Sequence, residues 1–206
     1  MAEKIPVDLW FDPFCPYAWV TSRWLLEVEK VRPIEPRWRV MSLNVLNEDK
    51  EVSDAYRARI GRAMEVVRVV VAAAAAHGDQ VIGPLYTELG TRFHNQGLLK
   101  APERLRATVE EALESAGLDR ALAAEMRSTR WDADVRRSHT EGITLVGQDV
   151  GTPIIRVGAN AFFGPVITAT PKGEEAGRLW DAVVAVTSFE DFFELKRSRT
   201  RDIRFD

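Results

Sequence analysis

The sequence predicts an α/β protein: a mixed central sheet whose strands are interrupted by one long all-helical stretch. Three observations carry this. An apolar run, Val7 to Phe11, breaks at Asp12-Pro13 and passes into a helical pattern and then a second strand. Residues 53–148 show almost no strand signal, while apolar residues recur there at helical spacing. Strand signals then return as a pair around the turn Gly158-Ala159-Asn160.

The first helix opens at Pro16, where a missing N–H costs nothing. It carries Trp19, Trp24, Leu25 and Val28 at core spacing and ends near Val31-Arg32-Pro33. Trp38 to Leu43 reads as the next strand. Two strands joined by a helix of about four turns form a crossover unit, which implies a parallel pair.

The helical stretch begins where Ser53 caps a stripe of Tyr56, Ile60, Met64, Val67 and Val71, which runs into the alanines 72–76 and stops at His77-Gly78. A second helix spans 84–93 and stops in His94-Asn95-Gln96-Gly97. Pro102 starts a third, carrying Leu105, Val109, Ala112 and Leu113, with Gly117 beyond its end. Asp119 opens a shorter fourth (Leu122, Met126), and Asp132 a fifth that includes Val135, Gly142, Leu145 and Val146. No Pro/Gly/Ser linker separates these helices, so they read as a bundle inserted into one domain. Residues 1–52 and 149–206 then form the core, and 53–148 the insertion.

Val150 to Val157 and Ala161 to Pro165 read as a hairpin. A helix follows from Pro171 through Leu179, Trp180, Val183 and Val184. Ser188 to Asp191 reads as the cap of a last helix with Phe192, Phe193 and Leu195 buried. The basic stretch Lys196 to Arg204 reads as a solvated end. The order β-α-β, helices, β-β-α, with helices on both sheet faces, is that of the thioredoxin fold.

Composition narrows the function. With 28 basic and 31 acidic residues there is no basic field for nucleic acid. The longest apolar run, Val66 to Ala76, is too short to span a membrane. Met1 to Pro6 lack the apolar region of a secretory signal, and a single cysteine excludes an internal disulfide, so a reducing cytoplasm is the expected home. No histidine pair has metal-ligand spacing with a carboxylate, so no metal is expected, and no phosphate-binding or serine-nucleophile motif occurs.

What remains is Cys15. A lone cysteine is most often a small buried hydrophobe, but this one stands at a strand-to-helix junction between two prolines. Unpaired helix N–H groups and the helix dipole would face its sulfur and favour the thiolate. Pro16, Tyr17 and Ala18 complete the motif. In this chain order Gly151-Thr152-Pro153 lies beside the cysteine. A proline entering a central strand is awkward unless its peptide bond is cis. A cis Thr152–Pro153 bond is therefore expected, with the Thr152 backbone free to pair with a ligand as an added strand would. Of the histidines, His77 fits a helix C-terminus and His139 lies among polar neighbours at the surface or core rim. His94 lies in a polar cluster leaving a helix.

Phe11-Asp12-Pro13-Phe14-Cys15-Pro16, the helical stretch and Gly151-Thr152-Pro153 resemble the DsbA-like branch of the thioredoxin superfamily. Residues 19–24, 40–43 and 46–48, His94 to Gly97, Asp149 to Pro153, Phe162 to Pro165 and Phe192 to Arg197 resemble the actinobacterial mycothiol-dependent nitroreductase family more closely still. That resemblance implies a cytosolic oxidoreductase with mycothiol as its thiol co-substrate and a small electrophilic or disulfide substrate. It implies Cys15 as nucleophile, Tyr17 as the aromatic within the motif, Asn47 and Tyr56 as pocket-lining residues and Pro153 as the cis-proline, with His94 and Thr152 added. Better-known members carry Cys-Pro-Trp-Cys; here the motif is Cys-Pro-Tyr-Ala, which calls dithiol chemistry into question.

The leading expectation is monothiol chemistry: Cys15 attacks, Tyr17 packs over the sulfur, and an external thiol resolves the adduct. Two rivals stand beside it, a thiol-cofactor-dependent isomerase or transferase and a non-catalytic thiol-binding module. Periodicity leaves the oligomeric state open, a homodimer included.

Overall fold

The computed structural model describes residues 3–205. Four strands form one sheet in the order β2-β1-β3-β4: β1 (Ile5–Phe11), β2 (Ile34–Val40), β3 (Ile154–Val157) and β4 (Asn160–Phe163). β1 runs parallel to β2 and antiparallel to β3, and β3 pairs antiparallel with β4. Leu9 at the centre faces Trp38 on one side and Ile155 on the other. The fold is the expected thioredoxin-like α/β arrangement.

Alternation along β1 decides what each face receives. Val7, Leu9 and Phe11 point to one face, under α1 (Pro16–Glu29) and α4 (Ile82–Gly90), where Phe11 stacks on Tyr86 at 3.6 Å. Trp10 points to the other face, under α6 (Asp132–Ile143), and donates its indole N–H to the Ser138 carbonyl at 2.9 Å. Asp8 shares that second face. It is buried, and accepts from Arg39 on β2 at 3.2 Å and Arg156 on β3 at 2.6 Å, so one carboxylate joins three strands.

Between the second and third strands every regular element is helical among the described residues. α2 (Leu43–Leu46) is one turn. α3 (Asp54–His77) is capped by Ser53, whose hydroxyl accepts from the Tyr56 N–H, and it presents Ile60, Ala63, Met64, Val67 and Val70 to the core. α4 continues as a π-helical turn over Thr91–Asn95, and α5 (Leu105–Ser115) follows a short 3-10 turn at Pro102. The stretch opened by Asp119 is a 3-10 helix, Arg120–Arg127. α7 (Gly173–Thr187) returns to α1, where the Trp24 indole donates to the Ala176 carbonyl at 3.1 Å.

Four local expectations are corrected. β2 begins at Ile34 and ends at Val40, because an edge strand tolerates Pro36 and because Ser42 caps α2 where the strand was expected to continue. α6 ends at Ile143, leaving Leu145 and Val146 beyond it. Among the described residues no helix follows Ser188: the chain turns and runs irregular, with Phe193 88% and Leu195 85% exposed. A capping signal without a surface to bury the apolar side does not sustain a helix. His139, expected at the surface or core rim, is fully buried and accepts from the Ser42 N–H at 3.4 Å.

Gly90 on α4 packs directly on α1: a Cβ there would fall far inside van der Waals contact of the Trp19 ring. Gly90→Ala is expected to destabilise by ~1–3 kcal/mol through overpacking. Gly61→Ala, in α3 with open space around the position, is expected to stabilise by ~0.5–1 kcal/mol from helix propensity. Urea midpoints of the two variants, which should move in opposite directions, check the pair.

Candidate functional site

Cys15 is the N-cap of α1, with Pro16 in the first turn. Its sulfur accepts from the Ala18 N–H at 3.5 Å, and its S–H donates to the Thr152 carbonyl at 3.3 Å. The Thr152–Pro153 peptide bond is cis, as expected, and brings that carbonyl 137 positions along the chain to the sulfur. The Thr152 hydroxyl donates to the Trp10 carbonyl at 3.1 Å, fixing the loop on the end of β1. The expected free Thr152 backbone is corrected in this respect: Thr152 is buried and its carbonyl is engaged by the thiol.

Each residue of the turn leading into α1 is held separately. The Asp12 carbonyl accepts the Cys15 N–H at 2.9 Å. The Asp12 carboxylate accepts from the Phe14 N–H at 2.8 Å and the Leu43 N–H at 2.7 Å. His94 Nε2 bonds the Pro13 carbonyl at 2.9 Å, and the Arg59 guanidinium donates to the Phe14 carbonyl at 3.2 Å.

Electrostatics at Cys15 runs against the expected activation. Burial pushes the thiol up to about 11; Ala18 and Tyr17 backbone N–H groups and Arg59 pull downward, while Asp12 pushes with the burial. The cysteine is 7% exposed, and desolvation of the thiolate outweighs the N-cap contribution. The resting site holds a protonated thiol. Asp12, fully buried, is itself pushed up to about 6 by burial, opposed by its two backbone donors and Arg59. His94 is pushed down to about 4 by burial, so it stands neutral at pH 7.

The other expected residues divide. Tyr17 acts on Cys15 through its backbone N–H, and its ring lies 5.0 Å from the Arg199 guanidinium. Ala18 is fully buried and fills the motif's fourth position. Tyr56 is half-buried, and its hydroxyl is raised by burial and by the charges of Asp12 and Cys15, which places it in the same field. The Asn47 side-chain amide donates to the Leu43 carbonyl at 2.7 Å and closes α2, whose first N–H is the one Asp12 holds. His94 lies in the π-helical turn by which the chain leaves α4, and it is buried there, its ring stacked 6.0 Å from Trp19.

Two residues of the turn's support were not singled out from the sequence. Asp12 read only as a strand breaker. Arg59 lies three residues beyond Tyr56 on α3, so the spacing that places Tyr56 toward the site places Arg59 there too. Among the described residues no group of three or more His, Cys, Asp and Glu is placed to hold a metal, and no helix is long and apolar enough to cross a membrane.

Comparison with known proteins bears on the family and fold of the chain. A family model described as mycothiol-dependent nitroreductase Rv2466c matches residues 14–197. An uncharacterized Mycobacterium tuberculosis protein, Rv2286c, is 26% identical over 195 residues, covering 94% of this chain and 82% of that protein. Among solved structures, the cytosolic disulfide reductase DsbM from Pseudomonas aeruginosa with GSH superposes with a TM-score of 0.58 at 13% identity, covering 88% of this chain and 100% of that one. The oxidoreductase DsbA from Xylella fastidiosa gives 0.57 at 15% identity, covering 89% and 86%. These structures establish a DsbA-like fold.

Iodoacetamide alkylation of Cys15 is expected to rise ~tenfold per pH unit from pH 7 and to level off only near pH 11. A plateau below pH 8.5 would contradict the buried-thiol geometry. The linkage has a definite sign. The folded value of about 11 lies above the ordinary 9.0, so Cys15 contributes stability below pH 9 that is lost as pH rises toward 11. The urea midpoint should therefore fall less steeply over that window in Cys15→Ala than in the wild type.

Proposed function

Because the chain belongs to the Rv2466c-like family of mycothiol-dependent nitroreductases, we infer that it is a thiol-dependent oxidoreductase acting through Cys15 alone, with mycothiol as the external thiol. The observation that carries this reading is the Cys15 sulfur at the N-cap of α1, between the Ala18 N–H and the cis-proline loop, with buried Ala18 where a resolving cysteine would stand. The chain keeps the nucleophile and has no internal partner for it.

The chemistry balances with two thiol–disulfide exchanges. Cys15 loses its proton to solvent, and its thiolate attacks one sulfur of a disulfide substrate, forming a protein mixed disulfide and expelling the other half as a thiolate. A mycothiol thiolate then attacks the mixed disulfide and releases Cys15. One substrate half leaves as thiol and the other as its disulfide with mycothiol. The N–H groups of Tyr17 and Ala18 and the Arg59 charge stabilise Cys15 as attacking and as leaving thiolate. Asp12, His94 and Arg59 position the turn. Tyr56, on the α3 face that supplies Arg59, lines the approach, and Asn47 acts through α2. Thr152 and Pro153 form the buried loop beside the sulfur, and the Thr152 carbonyl holds the thiol proton until it is lost. In the same reading residues 53–148 are the insertion that shapes this approach, and the protein works in the reducing cytoplasm.

Incubation with oxidised mycothiol, followed by intact-protein mass, tests this. One mycothiol adduct per chain is expected, located on Cys15, absent in Cys15→Ser, and removed by reduced mycothiol. No adduct on the native protein, under conditions where the unfolded chain is modified, would overturn the reading.

Ala18→Cys supplies a second check. A cysteine there sits within the same first turn, and intramolecular resolution carries a large effective concentration. The variant is expected to shed its adduct at least tenfold faster and to end as an internal disulfide. Persistence of the adduct at the wild-type rate would show that the site does not admit dithiol chemistry.

A further inference from the structure

Arg59 is the arginine of α3 that reaches the turn carrying Cys15. Its guanidinium donates to the Phe14 carbonyl at 3.2 Å, and that carbonyl carbon is bonded to the Cys15 nitrogen. The cation therefore stands within one residue of the sulfur and acts on it through space. One N–H donor of the guanidinium is used in this contact; the side chain is exposed, so the others can meet a ligand.

Nothing along the helix neutralises this charge. The positions one turn to either side of Arg59 are Ala55, Tyr56, Arg62 and Ala63, none of them acidic. Among the described residues α3 makes one ion pair, Arg68 to Asp132 at 2.6 Å, and Arg59 has none. Asp12 shares the field of Arg59, but it is fully buried with its oxygens on the Phe14 and Leu43 amides, so it does not close the exposed side of the guanidinium. A second exposed cation flanks the motif: the Arg199 guanidinium lies 5.0 Å from the ring of Tyr17, two residues beyond Cys15. The sulfur rests as a thiol, so at encounter the charge of Arg59 is not yet committed to a thiolate.

We propose that Arg59 selects the substrate of Cys15, pairing with a carboxylate carried within a few bonds of the sulfur under attack. The inference rests on the reading of Cys15 as a nucleophile in disulfide exchange, and names the substrate class: a small disulfide bearing a carboxylate. The planar fork of a guanidinium matches a carboxylate. In water, like charge slows the attack of a thiolate on an acidic disulfide, and a cation beside the sulfur offsets that repulsion. The exchange keeps its balance. A bond forms between Cys15 and one substrate sulfur as the substrate's own S–S bond breaks, and the other half leaves as thiolate. The rival is a purely positioning role, in which Arg59 only holds the Phe14 carbonyl.

Two alkylating probes separate these roles. Iodoacetate and iodoacetamide each transfer a CH2 carbon to the Cys15 thiolate and release iodide, and only the first carries a carboxylate. Their rate ratio is measured at one pH and ionic strength on the native chain and on the chain unfolded in urea, the reference for the same cysteine. The native ratio is expected to exceed the unfolded one about fivefold. It should return to within about twofold of the reference in Arg59→Gln and lie between in Arg59→Lys. On the native protein it should also fall toward the reference from about 0.01 M to about 1 M salt, which keeps the test decisive should a variant misfold. A positioning role slows both probes alike in Arg59→Gln and leaves the ratio unmoved. A native ratio equal to the unfolded one, or one indifferent to Arg59→Gln or to salt, would overturn the proposal. Mycothiol-dependent reduction of dithiodipropionate and of the neutral hydroxyethyl disulfide then tests the substrate class. In Arg59→Gln, kcat/KM for the diacid should fall about fivefold more than for the neutral disulfide, and an equal fall would overturn that assignment. Failure of the mycothiol reading shows differently, as a missing mycothiol adduct on a protein whose alkylation ratio is raised.

Discussion

The carboxylate of Asp12 is the interaction on which the candidate site depends. It is fully buried, and its two oxygens accept from two backbone amides that lie far apart in sequence, Phe14 and Leu43. One amide belongs to the turn after β1, the other to the start of α2 after β2. The pair of parallel strands is thus tied at its carboxyl end, where the chain turns into α1. Only an ionised carboxylate of this length accepts at both ends; an asparagine would turn a donor toward one of the two amides. Burial of the charge is unfavourable and raises its titration to about 6, yet the two charge-assisted bonds and Arg59 oppose that cost. Pro13, Phe14 and Cys15 are then held by His94, Arg59 and Asp12 in turn.

The sheet follows the same economy of contacts. β1 is central, so its odd and even positions must satisfy two different layers, and its sequence does so. Val7, Leu9 and Phe11 face the α1 and α4 layer, and Trp10 faces α6. Asp8 is the one charge in this strand, and arginines from the two neighbouring strands neutralise it. Because α4 lies against the α1 face, its π-helical continuation brings His94 to Pro13. Local helix geometry thereby becomes a constraint on the cysteine turn.

What could be read from the sequence was what depends on short range. The cap at Cys15-Pro16, the stripe of α3 and the hairpin around Gly158 are written within a dozen residues each. The cis bond at Pro153 was legible because chain order placed a proline where a central strand begins. Features decided by distant partners were not legible. Pro36 looks like a break until β2 is known to be an edge strand. Ser188 looks like a cap, but Phe193 and Leu195 meet no surface. His139 sits among Arg136, Arg137 and Ser138 in sequence, yet the helix turns it inward to the Ser42 amide. Asn47 carries a family resemblance to a pocket residue, while its amide closes α2. The domain limits at 52 and 148 rest on sequence character alone.

The largest departure, the titration of Cys15, shows how magnitudes decide between two correct principles. A charge at a helix N-terminus gains ~0.3–1 kcal/mol when exposed and about 2 kcal/mol in a partly buried geometry. Removing a thiolate from water costs several kcal/mol unless other groups replace the lost hydration. At Cys15 two backbone N–H groups and one guanidinium replace part of it, and the nearby Asp12 charge subtracts from what they supply. Desolvation wins, and the proton stays on sulfur, bonded to Thr152. For a cysteine with no second thiol nearby this has a chemical consequence. A standing thiolate would be open to oxidation with no internal cysteine to recover the sulfenic acid, whereas a buried, protonated sulfur is not. The donors needed to hold the thiolate are nevertheless already in place at Tyr17, Ala18 and Arg59. A ligand that changes the solvation of the sulfur therefore meets an arrangement that needs no rebuilding to stabilise the charge.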